Sequence, residues 1–98
     1  MRSVPYPTPG EILLHEFLEP LGLSQYRLAK AISVPQDRIS KIVNGERAVT
    51  ADTALRLSRF FGTTDNFWLT LQMDHDAAVA RDALADTLAK IQPYQSVA

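Results

Sequence analysis

Between Gln25 and Val43 the apolar positions fall into two short helical sets separated by a tight turn. Leu28, Ala29 and Ile32 share one face of a helix predicted over Gln25–Ile32, and Ile39, Ile42 and Val43 share one face of a second over Gln36–Val43. Ala29 is expected at the crossing, where a small side chain allows close approach, and Val34 as a buried plug in the angle. Ser24 caps the first of these helices, and Asn44-Gly45 stops the second. Upstream, Leu13, Leu14, Phe17, Leu18 and Leu21 form an apolar stripe. Thr8 as N-cap, Pro9 at the first helical position and Glu11 three residues after the cap form a capping box for it, and Pro20 and Gly22 close it. Downstream, Thr50 caps a helix whose Ala54, Leu55, Leu57, Ser58 and Phe61 include the buried face, ended by Gly62. Thr64 is expected to cap a fifth, weighted by Phe67, Trp68 and Leu71, with Asp65 in its first turn.

The segment from Asp74 to Lys90 is rich in Ala and Leu and also predicts helix, with Ala77, Ala80, Leu84, Leu88 and Ile91 as a thin stripe and Gln92-Pro93 as its end. No strand pattern or internal repeat interrupts this series. The expectation is an all-α protein: a flexible arm over residues 1–7, where Pro5, Pro7 and Pro9 forbid helix, and a compact five-helix domain over 8–75 with its helix-turn-helix at 24–44. A helical extension with a frayed end follows over 76–98.

Composition narrows the function. Ninety-eight residues with 46% apolar content can close one core without metals or disulfides, and there are no cysteines. No apolar run approaches a membrane span and the N-terminus lacks the apolar stretch of a signal peptide, so a cytoplasmic protein is expected. An enzyme is disfavoured: only two isolated histidines are present, with no Gly-rich phosphate loop and no H-E-x-x-H. Asp74-His75-Asp76 lacks a nucleophile or a third ligand at useful spacing, and His15 reads as a surface or structural histidine. No catalytic residue, metal, cofactor or small-molecule ligand is expected.

The net charge of −1 hides a strong asymmetry. Residues 24–59 hold seven basic side chains (Arg27, Lys30, Arg38, Lys41, Arg47, Arg56, Arg59) against three acidic ones, a net of +4, while the rest of the chain carries −5. A basic middle with acidic flanks suits a protein that offers one face to DNA and keeps another for a different partner. Gln36 and Lys41 are the strongest candidates to read base edges, because Gln matches adenine and Lys guanine. Asp37 can accept from cytosine or act only as a negative selector, and Arg38 and Ser40 can meet bases or phosphates. Gln25, Arg27, Asn44 and Arg47 are the candidate phosphate clamps, setting register and salt dependence. An eight-residue helix reads few base pairs, so a homodimer on a palindromic site is expected, its two reading helices roughly 34–36 Å apart. Ala29, Val34, Ile39, Ile42, Leu55, Trp68 and Leu71 are assigned to the core or a dimer seam, and Leu84 and Leu88 to dimerisation.

The span from Pro9 to Asp76 resembles the HigA-like antitoxins, within the Cro/repressor-type helix-turn-helix class. Gln25, Leu28-Ala29, Val34, Ile39-Ser40 and Asn44-Gly45 carry the likeness to the class. P-G-E-I-L at Pro9 to Leu13, R-A-V-T-A-D-T-A-L-R-L from Arg47 to Leu57, and F-W-L-T-L-Q from Phe67 to Gln72 carry the likeness to the antitoxins. The resemblance implies an autorepressor that binds its own operator and neutralises an RNA-cleaving HigB-like toxin, and it puts Gln36, Asp37 and Lys41 at base-contacting positions. The alternative is a stand-alone repressor with no toxin partner. Three departures stand out. Ser33 replaces the usual turn glycine, with about 1 kcal/mol of strain expected. Pro35 replaces a Ser or Thr cap. His75-Asp76-Ala77 replaces an aromatic-Asp-Leu ending.

Overall fold

Thr8 starts the first helix as its sequence predicts. Its backbone N–H donates to Glu11 Oε1 (2.8 Å) while its Oγ1 accepts from the Glu11 N–H (3.1 Å), and Pro9 follows at the first position, where a missing N–H costs nothing. The computed structural model describes residues 7–95, so the expected arm apart from Pro7, and residues 96–98 of the frayed end, lie outside it. Helix α1 spans 9–21 in three windings: α-helical at Pro9–Ile12, π-helical at Leu13–Leu18 and α-helical again at Glu19–Leu21. Pro20 has no N–H and its ring would crowd the carbonyl four residues back. The wider turn before it, in which the Glu19 N–H donates to the Leu14 carbonyl, makes room. That turn also rotates the last winding of the helix. Leu13 and Leu18 are buried, but Leu21, expected on the stripe, is 62% exposed.

Helices α2 (Gln25–Ile32) and α3 (Gln36–Val43) form the helix-turn-helix. Ser24 Oγ accepts from the Arg27 N–H at 3.1 Å, and Leu28, Ala29, Ile32, Ile39 and Ile42 are buried between the two helices and their neighbours. The turn is made by Ser33 at φ 62°, ψ 48°, left-handed as the glycine of this position would be; among the described residues it is the sole non-glycine with positive φ. Val34 closes the turn by donating to the Ala29 carbonyl (3.0 Å) and packs half-buried against the core.

Helix α4 (Ala51–Phe61) begins after Thr50 and ends at Gly62, though the Thr50 side chain makes no capping bond. Its buried arc is Thr53, Ala54, Leu57 and Ser58. Leu55 falls outside that arc and is 49% exposed, which removes it from the core. Val49, ahead of the helix, is buried instead. Helix α5 (Phe67–Ala83) starts later than expected. Asn66 takes the N-cap position, and Thr64 only lends its carbonyl to the Phe67 N–H (3.2 Å), so Asp65 precedes the helix. It then runs unbroken through residues 75 and 76, where a boundary was expected. The Ala-rich segment continues the Trp68 helix, with Ala78 still buried on the same body. Leu84 separates it from the short, exposed α6 (Ala85–Lys90).

Trp68 of α5 is wholly buried and is met by two other helices. Its ring centroid lies 5.0 Å from Phe17 of α1, 5.2 Å from Phe67 of α5 and 6.2 Å from Phe61 of α4. Leu71, also expected here, packs half-buried on this core. At the opposite end of α1, Gly10 sits directly on the end of α3: a Cβ there would overlap the Ile42 carbonyl oxygen. No helix among the described residues is long and apolar enough to cross a membrane.

The Gly10 crossing yields a test. Gly10→Ala must push backbone apart, so it should destabilise the protein by about 2–3 kcal/mol. Gly62→Ala, left-handed but in open space, should cost only about 1 kcal/mol. Urea midpoints of the two variants check the order.

Candidate nucleic-acid interface

The N-terminus of α3 is open. Pro35 occupies the cap position with no side-chain acceptor, and the Arg38 N–H is taken by the Pro35 carbonyl (3.0 Å). The N–H groups of the first turn therefore present a partial positive charge outward. Gln36 and Asp37 are exposed on this turn, and Lys41 stands one turn on. Asp37 Oδ2 lies 3.3 Å from Lys41 Nζ, both groups exposed, so any acceptor that engages the ammonium competes with the carboxylate.

The other two candidates on α3 turn inward. Ser40 Oγ donates to Gln25 Oε1 at 2.9 Å, fixing α3 to the start of α2 and leaving the Gln25 amide N–H groups as donors. Arg38 is three-quarters buried and places Nη1 3.3 Å from Asp52 Oδ1 on α4. The sequence-predicted readers thus separate into an outward set (Gln36, Asp37, Lys41) and an inward pair (Arg38, Ser40).

Arg27, Asn44 and Arg47 are exposed around this face. Arg47 belongs to the loop after α3, whose shape is set by Gly45 at φ 77° and by the Glu46 N–H donating to the Lys41 carbonyl (2.8 Å). The far side of the loop is held from α5. Gln72 Oε1 accepts the Val49 N–H at 2.7 Å, and Gln72 Nε2 donates to Asp76 Oδ1 at 2.9 Å. That pairing gives a physical reason for the Gln and Asp of the sequence pattern: they position a backbone loop next to the interface.

Sequence reasoning missed Asp52 and Arg56. Arg56 Nη1 donates to the Ile32 carbonyl (2.7 Å) and the Ser33 carbonyl (3.2 Å), the groups left unpaired at the end of α2, while its Nε donates to Asp52 Oδ1 (2.8 Å). The i,i+4 spacing of Asp52 and Arg56 was visible, but nothing in it pointed across to α2. His15 lies on the exposed side of α1, its Nδ1 3.0 Å from Glu19 Oε1, and that hydrogen bond raises its pKa above the ordinary histidine value. No group of His, Cys, Asp or Glu among the described residues could hold a metal ion.

A family profile described as helix-turn-helix matches residues 14–68. Fold and interface thus define a helix-turn-helix DNA-binding regulator rather than an enzyme. Virulence-associated protein I of Dichelobacter nodosus is 49% identical over 79 residues, 81% of this chain and 73% of that protein. Among solved structures, the chain is similar to an addiction module antidote protein of the HigA family from Coxiella burnetii. That match is 43% identical with a TM-score of 0.84, over 90% of this chain and 97% of the other. It is also similar to the Pseudomonas aeruginosa antitoxin HigA solved with the higBA promoter, at 37% identity and a TM-score of 0.85, over 91% and 98% of the two chains. The chain belongs to the HigA-like antitoxins.

The left-handed serine makes a clean prediction. Ser33→Gly relieves the Cβ clash of that conformation and should stabilise the protein by about 1 kcal/mol, seen as a higher urea midpoint at unchanged slope.

Proposed function

We propose that this protein binds a palindromic operator as a homodimer, represses its own operon and neutralises an RNA-cleaving toxin of the HigB type by complex formation. The observation that carries the DNA half is the open N-terminus of α3 with Gln36, Asp37 and Lys41 exposed on it, flanked by Arg27, Asn44 and Arg47. Gln36 and Lys41 read base edges, and Asp37 selects against sequences that fail to draw Lys41 away from it. Gln25, Arg27, Asn44 and Arg47 hold phosphates and set register. The antitoxin half is supported by the family. The acidic regions outside 24–59 suit a basic nuclease surface, and a cytoplasmic location goes with an operator target.

Two apolar faces are available to a second copy. Leu55 and Phe60 are exposed on α4, beside the helix-turn-helix turn, with Arg59 and Asp65 lining the same groove. Leu84 and Leu88, the candidates from sequence, are half-exposed at the far end of the chain. The α4 face is favoured because it continues directly from the DNA-facing elements and carries opposite charges that a two-fold axis can pair.

Footprinting on the DNA upstream of the gene should protect a symmetric site. Gln36→Ala should narrow the gap between operator and scrambled duplex; parallel changes on both would remove its base-reading role. Arg47→Ala should instead weaken both alike and lower the salt slope by about 1. The toxin partner is tested by co-purification with the product of the neighbouring reading frame, and a chain that protects the operator yet captures nothing is a stand-alone repressor. For the dimer, Leu55→Lys should shift sedimentation to the monomer while Leu88→Lys leaves the dimer intact.

A further inference from the structure

We infer that Asp52 is a specificity-determining positioning residue that keeps Arg38 away from DNA. The inference rests on the operator-binding reading above. Arg38 stands on the first turn of α3, between Gln36 and Lys41 in the chain, and is the longest cation on that helix. A guanidinium there is long enough to reach a phosphate, which would add affinity for any sequence and discriminate nothing. In this structure it is instead drawn to α4, Nη1 lying 3.3 Å from Asp52 Oδ1 with the side chain only 25% exposed. Its Nε is buried with no hydrogen-bond partner among the described residues. A buried, incompletely satisfied guanidinium needs something to hold it, and the carboxylate does so.

The same Asp52 oxygen receives Arg56 Nε at 2.8 Å, and Arg56 in turn grips the carbonyls of Ile32 and Ser33. Asp52 is therefore fixed from behind by a side chain anchored on the end of α2. It serves two cations at once, and its position follows the helix-turn-helix turn itself. Its effect on DNA runs through Arg38: it removes one positive charge from the non-specific term and leaves discrimination to Gln36 and Lys41.

The experiment measures binding of the full chain to a labelled operator duplex and to a scrambled duplex of equal length, across a salt series. The proteins are wild type, Asp52→Asn, Arg38→Gln and the double variant. Asp52→Asn should bind scrambled DNA several-fold more tightly with a salt slope steeper by about 1, lowering the ratio of operator to scrambled affinity. Arg38→Gln should leave both affinities within about twofold of wild type, and it should abolish the gain when combined with Asp52→Asn. Persistence of the gain in the double variant would mean bare charge removal and overturn the inference. So would parallel loss on both duplexes that tracks a lowered melting temperature. Should Asp52→Asn not fold, Arg38→Gln alone decides: a tenfold loss of operator binding means that Arg38 already touches DNA. Wild type that ignores its operator refutes the operator reading instead, a result distinct from all of these.

Discussion

Helices of eight residues are too short to persist in water by themselves, and the two of the helix-turn-helix, α2 and α3, are both of that length. Everything else in the structure works against that constraint. Helix α1 presses on the end of α3 at a point where no side chain fits, since a Cβ on Gly10 would overlap the Ile42 carbonyl. Helix α5 reaches the following loop through Gln72, which takes the Val49 N–H. Arg56 of α4 closes the end of α2 by taking the carbonyls of Ile32 and Ser33. The helix-turn-helix is held from outside at its turn and at the far end of α3, and the exposed face of α3 is left without structural duties.

That division has an electrostatic counterpart. Helix ends expose unpaired backbone groups, and the chain satisfies some of them with side chains: Thr8 and Ser24 cap with hydroxyls, and Arg56 caps with a guanidinium. Pro35 has no side chain that could serve this way, so the first turn of α3, like those of α4, α5 and α6, has no side-chain acceptor. A proline there also fixes the approach of the chain to that turn, so the open end is held in place. The positive end that remains is available to a phosphate.

Much of this was legible in the sequence because it rests on local rules. The capping box at Thr8, the Ser24 cap and the glycine stops at Gly45 and Gly62 all depend on neighbours within a few residues, while the turn at Ser33 was legible only through the family resemblance. The misses share a different cause. Leu21 was placed by a 3.6-residue period, which the π turn before Pro20 breaks. Leu55 sits in an apolar run, but only the helix's rotation against its neighbours decides that Thr53 goes inward in its place. Thr64 is as good a cap by type as Thr8, yet the chain turns once more before α5 begins. For the interface, Gln36, Asp37 and Lys41 stand outward as the spacing required. The inward turn of Arg38 and Ser40 depended on Asp52 and Gln25, partners fourteen and fifteen residues away.

Trp68 is the chain's single tryptophan, and it lies wholly buried among Phe17, Phe61 and Phe67, where α1, α4 and α5 meet. The protein therefore carries a built-in optical gauge of its scaffold. Indole emission follows the closing of those three helices around it, while the outward side chains of α3 have no indole among them. Folding and occupancy of the DNA face can be followed in the same cuvette as separate signals, the first by tryptophan and the second by a label on the duplex.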